Sequence, residues 1–235
     1  MTSLLIKGLQ KTTLIDYPGK VAATIFVGKC NFRCGFCYNK DLVVDYDKLP
    51  TLKEEEILDF LKSRKKWLDG VCISGGEPTM HKELPEFIKK IKEIGLLVKL
   101  DTNGVNPSML RELIDKKLVD YVAMDIKGPL DKYSITAGVK VDKEKIKESV
   151  DILMKSNVDY EFRTTVVPGL LDNGDFEKIG KWLKGAKRYF LQQFKPDKKC
   201  IDKSYADKKP LPAGKLEEFK KILNPYFEEV GVRGV

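Results

Sequence analysis

The sequence predicts an α/β fold, a partial (β/α)6 barrel, as a single domain over residues 1–235. Short runs rich in Val, Ile and aromatic residues, typical of buried parallel strands, alternate with amphipathic segments of helix length. This alternation indicates a parallel sheet with helices packed against it. About six such units can be recognised, which is fewer than the eight of a closed barrel, so we expect the barrel to remain open.

The elements follow in chain order. The predicted strands cover residues 22–27, 71–74, 97–100, 119–126, 160–167 and 188–194. Apolar stripes at spacings of three and four predict helices over residues 84–94, 109–118, 176–186 and 216–223. Thr51 and Glu54 match a capping box before a further helix, Asn106 before Pro107 predicts a helix start, and Gly95 predicts a helix end. The polar, proline-marked segment 195–212 is predicted to be an exposed loop.

Composition restricts the possible environment and partners. The net charge is +8, from 43 basic and 35 acidic residues, but no stretch is strictly basic, so we expect a solvated surface and no nucleic-acid partner. The stretch 21–27, which is apolar apart from Thr24, is far shorter than the roughly 20 residues that a membrane span requires. The first residues lack the features of a secretory signal. We therefore expect a cytoplasmic protein with no membrane partner.

The residues with the most chemical potential follow the first four predicted strands. In parallel α/β folds the carboxyl ends of the strands bind the ligands. Three cysteines lie within 30–37, Gly-Gly-Glu-Pro at 75–78, Asp-Thr-Asn-Gly at 101–104, and Asp-Ile-Lys-Gly at 125–128. We expect these four segments to face one common mouth.

Cys30, Cys34 and Cys37 form a C-x3-C-x2-C pattern in a predicted loop at 28–40. An odd total of five cysteines argues against a disulfide framework. A structural zinc site would need a fourth ligand, such as His81 or Cys200. A purely electron-carrying [4Fe–4S] cluster would also need a fourth thiolate, from Cys72 or Cys200. The spacing favours a [4Fe–4S] cluster with three protein thiolates, whose remaining iron is open to a substrate or cosubstrate.

The pattern of these segments resembles a known superfamily. The three cysteines with the aromatic Phe36 between the last two, followed after the next strand by Gly-Gly-Glu-Pro, resemble the radical S-adenosylmethionine (SAM) superfamily over essentially the whole chain. The resemblance implies that Cys30, Cys34 and Cys37 hold a [4Fe–4S] cluster and that its open iron binds the amino and carboxylate groups of SAM. It implies reductive cleavage of SAM to a 5′-deoxyadenosyl radical, which abstracts hydrogen from a substrate.

The resemblance also implies which residues contact SAM. Phe36 would lie near the adenine, Lys127 would meet the carboxylate, and Arg163 would bind the carboxylate or the ribose. The alternatives are a core aromatic for Phe36 and a surface salt bridge for Arg163. The full implied set is Phe36, Cys37, Tyr38, Gly75, Gly76, Glu77, Asp125, Ile126, Lys127, Arg163 and Gln193.

Two further segments resemble the glycyl-radical-enzyme activating enzymes within that superfamily. The resemblance implies a Na⁺ or K⁺ site in which two aspartates and neighbouring backbone carbonyls bind the ion beside the SAM carboxylate. The residues concerned are Asp101, Thr102, Met124 and Asp125. Hard oxygen ligands suit such an ion, although each aspartate could equally be a cap or turn residue.

The segment 13–20, Thr-Leu-Ile-Asp-Tyr-Pro-Gly-Lys, resembles the activating proteins of anaerobic ribonucleoside-triphosphate reductases. This resemblance implies that the substrate is a glycine of a partner glycyl radical enzyme and that flavodoxin or ferredoxin donates the electron. Two alternatives stay open. One is a radical SAM enzyme acting on a small molecule, such as a deazapurine precursor, and the other is a non-catalytic iron–sulfur or zinc module. His81 is expected in a turn, Cys72 as a buried filler, and Cys200 has no assigned role.

Overall fold

The computed structural model describes residues 4–234. Within that range its framework is one sheet of eight strands, ordered as they occur in the chain. The first strand pairs antiparallel with the second, and all later neighbours are parallel. The first and last strands are not paired with each other, so the sheet stays open. The predicted open α/β fold is confirmed.

The strands are β1 (Ile6–Thr13), β2 (Ala22–Val27), β3 (Gly70–Gly75), β4 (Leu97–Thr102), β5 (Tyr121–Asp125), β6 (Asp159–Val166), β7 (Arg188–Gln193) and β8 (Glu229–Arg233). The helices are α1 (Lys40–Val43), α2 (Glu54–Arg64), α3 (Leu84–Ile94), α4 (Pro107–Asp115), α5 (Tyr133–Ala137), α6 (Lys143–Lys155), α7 (Asn173–Trp182) and α8 (Ala213–Leu223). The six predicted strands correspond to β2–β7.

Apart from the short helices α1 and α5, three elements were absent from the sequence prediction. β1 is a partly exposed edge strand, and β8 extends the sheet beyond β7 with mostly half-buried residues. Neither offers the continuous apolar run of a buried strand. The third is α6, whose Asp142 caps the helix by accepting a hydrogen bond from the Glu144 backbone N–H at 3.1 Å. Ile146, Val150 and Leu153 give it an apolar stripe that the prediction overlooked.

The predicted helix boundaries had mixed outcomes. Asn106 caps α4 through a hydrogen bond from the Met109 backbone N–H at 3.2 Å, and Gly95 ends α3 with a φ of 92°, so both predictions are confirmed. The capping box of Thr51 and Glu54 is wrong, because α2 begins at Glu54 itself and Lys53 precedes it. The Glu54 carboxylate instead accepts a hydrogen bond from the backbone N–H of Leu4 at 2.8 Å.

The two faces of the sheet differ in chemistry. One face packs against the helices and forms the main apolar core. We call the other face the polar face. Strand pairing and the alternation of side chains along each strand determine which residues it carries. Its members in the centre of the sheet are Cys72, Lys99, Asp101, Asp125 and Arg163.

Two further features concern the length of the helices and the burial of the segment 195–212. No helix among residues 4–234 combines the length and the apolar character needed to cross a membrane. The segment 195–212 is mostly exposed or half-buried, but Cys200 within it is buried.

Candidate active site

The three cysteines lie together in the loop that follows β2. Cys34 is buried, Cys30 and Cys37 are half-buried, and all three are free thiols. The Cys37 backbone N–H donates to the Cys34 carbonyl at 3.0 Å, which closes a turn between them. The Phe32 backbone N–H donates to the Cys30 sulfur at 3.4 Å. The loop therefore folds back on itself and keeps the three side chains in one region.

Burial holds these thiols in their neutral form. It raises the pKa of Cys30 to about 12 and raises the pKa of both Cys34 and Cys37, while the ammonium of Lys127 acts in the opposite direction at all three. A single lysine that influences every thiol indicates that the three share one site. A bound metal centre supplies the positive charge that converts such thiols to thiolates.

The donor set fits an iron–sulfur cubane. Among the described residues, no three His, Cys, Asp or Glu side chains converge closely enough to hold one metal ion. A cubane binds each thiolate at a different iron, so its ligands are spaced more widely than those of a single ion. Three soft thiolates on one short loop, partly shielded from water, are the ligand type that such a cluster requires.

The glycines after β3 bring a second loop against the cysteine loop. The Gly76 backbone N–H donates to the Val27 carbonyl and the Glu77 N–H donates to the Lys29 carbonyl, both at 2.8 Å. A Cβ on Gly76 would lie 2.0 Å from the Lys29 carbonyl oxygen, and Gly75 has a φ of 115°. Both glycines therefore let the backbone of this turn approach the backbone of the cysteine loop closely, in addition to any contact with a ligand.

Glu77 is buried and connects three loops. Its Oε1 accepts hydrogen bonds from the Thr79 backbone N–H at 3.1 Å, the Thr79 hydroxyl at 2.5 Å and the Thr102 hydroxyl at 2.7 Å. Its Oε2 accepts from the Asn103 backbone N–H at 2.6 Å. Burial raises the pKa of Glu77, and these hydrogen bonds offset part of that rise. Protein donors therefore engage both oxygens of this carboxylate, and its implied contact with SAM stays a prediction.

Asn103 extends this network to the cysteine loop. Its side-chain amide donates to the Asn31 side-chain oxygen at 2.9 Å and lies 4.0 Å from the Cys30 sulfur. Glu77 thus fixes the loop after β4, and that loop in turn contacts the residue next to the first cysteine. The position of the cysteine loop therefore depends on a buried carboxylate that lies outside that loop.

A group of charged side chains lies on the polar face beside the cysteine loop. Arg163 Nε donates to Asp125 Oδ1 at 3.0 Å, and Arg163 Nη1 lies 3.5 Å from Asp101 Oδ1. Lys127 Nζ donates to Asp125 Oδ2 at 3.0 Å. Lys99 donates to Asp101 Oδ1, and the Ser74 hydroxyl donates to Asp101 Oδ2 at 2.9 Å.

These neighbours determine the protonation of the group. Burial disfavours the charged form of Asp101, but Arg163 and Lys99 outweigh it and lower the pKa of Asp101 to about 2. Burial likewise opposes ionisation of Asp125, yet Lys127 and Arg163 hold its pKa below the ordinary value. Despite its burial, Lys127 has a raised pKa because Asp125 lies against it. Asp101, Asp125, Lys127 and Arg163 are therefore charged near neutral pH.

Three other predicted residues belong to the cysteine loop or follow β5 directly. Phe36 is buried and its ring meets that of Tyr205 edge-on, with 6.3 Å between centroids. Tyr38 is 58% exposed at the end of the cysteine loop. Ile126 is buried, its N–H donates to the Arg163 carbonyl at 2.7 Å, and its own carbonyl accepts from the Thr164 hydroxyl.

Three predicted side chains face away from the polar face. Thr102 and Met124 are paired across β4 and β5, one residue out of phase with Asp101 and Asp125, so their side chains point to the helices. Gln193 is out of phase with Arg163 in the same way, and its amide donates to the Leu211 carbonyl at 2.6 Å. At the polar face Thr102 and Met124 can offer only their backbone carbonyls, which are the groups that the cation-site prediction assigns to them. The contacts predicted for the three residues stay predictions, and Gln192 rather than Gln193 shares the face of Arg163.

Sequence reasoning also missed a segment that covers the cysteine loop. The backbone N–H groups of Ile201 and Asp202 donate to the carbonyls of Cys37 and Gly35, at 3.0 and 2.9 Å. A Cβ on Gly35 would lie 2.9 Å from the ring of Tyr205, which explains a glycine there. We call residues 200–205 the covering segment. Its proline-marked, polar composition gave no sign of this contact.

The remaining cysteines and the histidine have structural surroundings. His81 is buried and its Nε2 lies 2.9 Å from the Gly28 carbonyl oxygen, so it supports the start of the cysteine loop. The Cys200 thiol donates to the Phe36 carbonyl at 3.5 Å. Cys72 is buried on the polar face, and Lys99 Nζ lies 3.7 Å from its sulfur.

Comparison with known proteins identifies the family. The model of the radical SAM superfamily matches residues 24–183, a range that contains the three cysteines, the glycine turn and the charged group. The chain belongs to the radical SAM superfamily. Membership implies a [4Fe–4S] cluster and SAM, in agreement with the donor set of the cysteine loop.

Three comparisons describe its relatives. The chain is 38% identical over 238 residues, 98% of its length and 96% of the relative's, to a Methanocaldococcus jannaschii protein provisionally named a glycyl-radical enzyme activating enzyme. It is 28% identical over 150 residues, 62% of its length and 66% of the relative's, to 7-carboxy-7-deazaguanine synthase of Thermoplasma acidophilum. Among solved structures, Streptococcus suis SuiB bound to precursor peptide SuiA matches 90% of this radical SAM chain with a TM-score of 0.70 and 13% identity. The match spans 48% of that protein, and at this identity it shows the fold alone.

Proposed function

We propose that this radical SAM protein is an activase that cleaves SAM reductively and generates a glycyl radical on a partner enzyme. The observation that carries the proposal is the near full-length similarity to the provisionally named activating enzyme. The resemblance of residues 13–20 to activating proteins of anaerobic ribonucleoside-triphosphate reductases supports such a reductase as the partner. Flavodoxin or ferredoxin is the proposed electron donor.

Cys30, Cys34 and Cys37 hold the cluster in this proposal. When bound, the cluster and SAM together supply a 5′-deoxyadenosyl radical that removes hydrogen from an unreactive C–H bond. The protein orients SAM and excludes water. The charged group supports a carboxylate site, because the ammonium of Lys127 and the guanidinium of Arg163 are held in place by Asp125.

The surroundings of the cysteine loop support a protein substrate. α5 packs against this loop, since the Arg33 backbone N–H donates to the Ala137 carbonyl at 2.9 Å. Ile135 on α5 is 74% exposed, and Tyr38 at the end of the loop is 58% exposed. Large side chains exposed on the cysteine loop and on the helix packed against it are suited to contact another protein.

Electron paramagnetic resonance tests the proposal. The reconstituted, reduced protein is mixed anaerobically with SAM and an anaerobic ribonucleotide reductase, and we expect the doublet of a glycyl radical. A Cys34→Ala variant is the matched control and should give no doublet. Absence of a doublet with this reductase, while 5′-deoxyadenosine is formed, would exclude the proposed partner. Absence with every glycyl radical enzyme tried would exclude the activase function.

A second candidate is a radical SAM enzyme that acts on a small molecule. The similarity to 7-carboxy-7-deazaguanine synthase favours a deazapurine precursor as its substrate. In that case formation of 5′-deoxyadenosine should rise when the precursor is added and should need no partner protein. Precursor-independent turnover would exclude this candidate.

A further inference from the structure

The residues predicted to bind Na⁺ or K⁺ do not fit a metal ion. A monovalent cation needs oxygen ligands that are not already bound to positive groups. All four carboxylate oxygens of Asp101 and Asp125 accept hydrogen bonds from protein donors, three of them from Lys99, Lys127 and Arg163.

The charge balance points in the same direction. Three cations, Lys99, Lys127 and Arg163, face two anions, Asp101 and Asp125, which leaves a net charge of +1 (three minus two). The nearby carboxylate on β6, Glu161, is balanced by its own bidentate pair with Arg233 and adds no free negative charge. A metal ion would raise the buried charge to +2, which is costly away from water.

Lys99 is the unexpected member of this group. It lies in β4 between the buried residues Val98 and Leu100, and only 1% of its side chain is exposed. Besides Asp101, its ammonium contacts the Cys72 sulfur at 3.7 Å and lies 6.0 Å from the centre of the Tyr121 ring. Lysine is rarely buried to this extent unless it is paired, so the ion pair with Asp101 is what allows Lys99 to be buried here.

We propose that the Lys99 ammonium takes the place of a monovalent cation, so that the site works without Na⁺ or K⁺. Because Lys99 neutralises Asp101, one net positive charge remains among Arg163, Lys127 and Asp125 and can attract a ligand carboxylate. This inference rests on the proposed function only in naming SAM as the source of that carboxylate. The replacement of an ion by a tethered ammonium can be tested on the protein without cluster or SAM.

The test measures thermal unfolding of the cluster-free protein while K⁺ rises from about 1 to about 100 mM at constant ionic strength, with tetramethylammonium as the replacement ion. We expect no K⁺-specific change in the melting temperature of the unaltered protein. In Lys99→Ala the vacated space beside Asp101 should bind K⁺, and ammonium as well, and raise the melting temperature by roughly 3–5 °C. Lys99→Ala with Asp101→Asn should lose that response.

Lys92→Ala is the matched control. Lys92 also pairs with an aspartate, Asp120, at 2.6 Å, but the pair is partly exposed and lies outside the polar face. It should show no K⁺-specific response. A saturable K⁺ response in the unaltered protein, or none in a folded Lys99→Ala, would overturn the proposal. If Lys99→Ala does not fold, ²³Na relaxation of the unaltered protein decides: specific broadening would overturn the proposal, and its absence supports it.

A second readout separates this inference from the proposed function. With the cluster reconstituted, SAM affinity of the unaltered protein should be equal in K⁺ and tetramethylammonium, whereas Lys99→Ala should bind SAM several-fold more weakly without K⁺. Failure of SAM binding in every buffer would defeat the proposed function and leave the result with the cluster-free protein intact.

Discussion

Replacing Gly76 with alanine should separate the cysteine loop from the turn after β3. The new Cβ would lie 2.0 Å from the Lys29 carbonyl oxygen and 2.7 Å from its carbon. Ordinary contact begins at 3.4 Å, so the two backbones must move apart by 3.4 − 2.0 = 1.4 Å. Both contacting atoms are backbone, and no side-chain rotation can relieve the overlap.

The expected loss has two parts. Overpacking costs about 1–3 kcal/mol. The movement also breaks the hydrogen bond from the Glu77 N–H to the Lys29 carbonyl, a contribution of about 1 kcal/mol. The total of about 2–4 kcal/mol corresponds to a melting temperature lower by about 4–16 °C for a protein of this size.

The assay is thermal unfolding of the cluster-free protein followed by circular dichroism, together with the iron content after anaerobic reconstitution. Gly214→Ala is the matched control because a Cβ there meets nothing within 4 Å and the residue lies in α8. It should raise stability by about 0.5–1 kcal/mol. If Gly76→Ala melts at the temperature of the unaltered protein and loads the same amount of iron, the close-approach reasoning is refuted.

Three further predictions concern the buried network and the thiols. Glu77→Gln should lower the free energy of unfolding by about 2–3 kcal/mol, because the amide nitrogen would face a backbone N–H; urea unfolding checks this, with the exposed Glu86→Gln as control. The pKa of Asp101 is lowered to about 2, so its contribution of about 2 kcal/mol is present above about pH 4 and is lost as the pH falls towards 2. The stability difference between the unaltered protein and Asp101→Asn should shrink over that interval, and a constant difference would contradict it. Cys34→Ala should abolish cluster absorbance while circular dichroism stays nearly unchanged, whereas Cys72→Ser should keep the cluster because that thiol lies beside Lys99.

Much of the fold followed from local patterns. The strands β2–β7 each contain a short run rich in Val, Ile, Leu or aromatic residues, and their alternation with helices indicates the parallel sheet. β1 and β8 were missed because they are edge strands, whose exposed residues lack that signal. The capping box at Thr51 failed because Glu54 was recruited by a distant partner, the Leu4 backbone. Contacts across the chain override local chemistry of this kind.

The site was predictable at the level of segments and less so for side-chain roles. Four loops meet at the carboxyl ends of the strands because parallel strands share that edge. The direction of Gln193 and the engagement of Glu77 depend on register and on long-range hydrogen bonds, which spacing alone does not reveal. A signal for Lys99 existed, since a lysine between apolar strand residues implies a buried partner, and Asp101 lies two residues further along the same face.

The covering segment gives the cysteine loop a dependence on the far end of the chain. Cys200 of this segment donates a hydrogen bond to Phe36 of the loop, and the two residues are 164 apart in sequence. During synthesis, the thiols emerge long before the residues that close over them. The nascent loop therefore has its three cysteines but lacks the hydrogen bonds that Ile201 and Asp202 later donate to it.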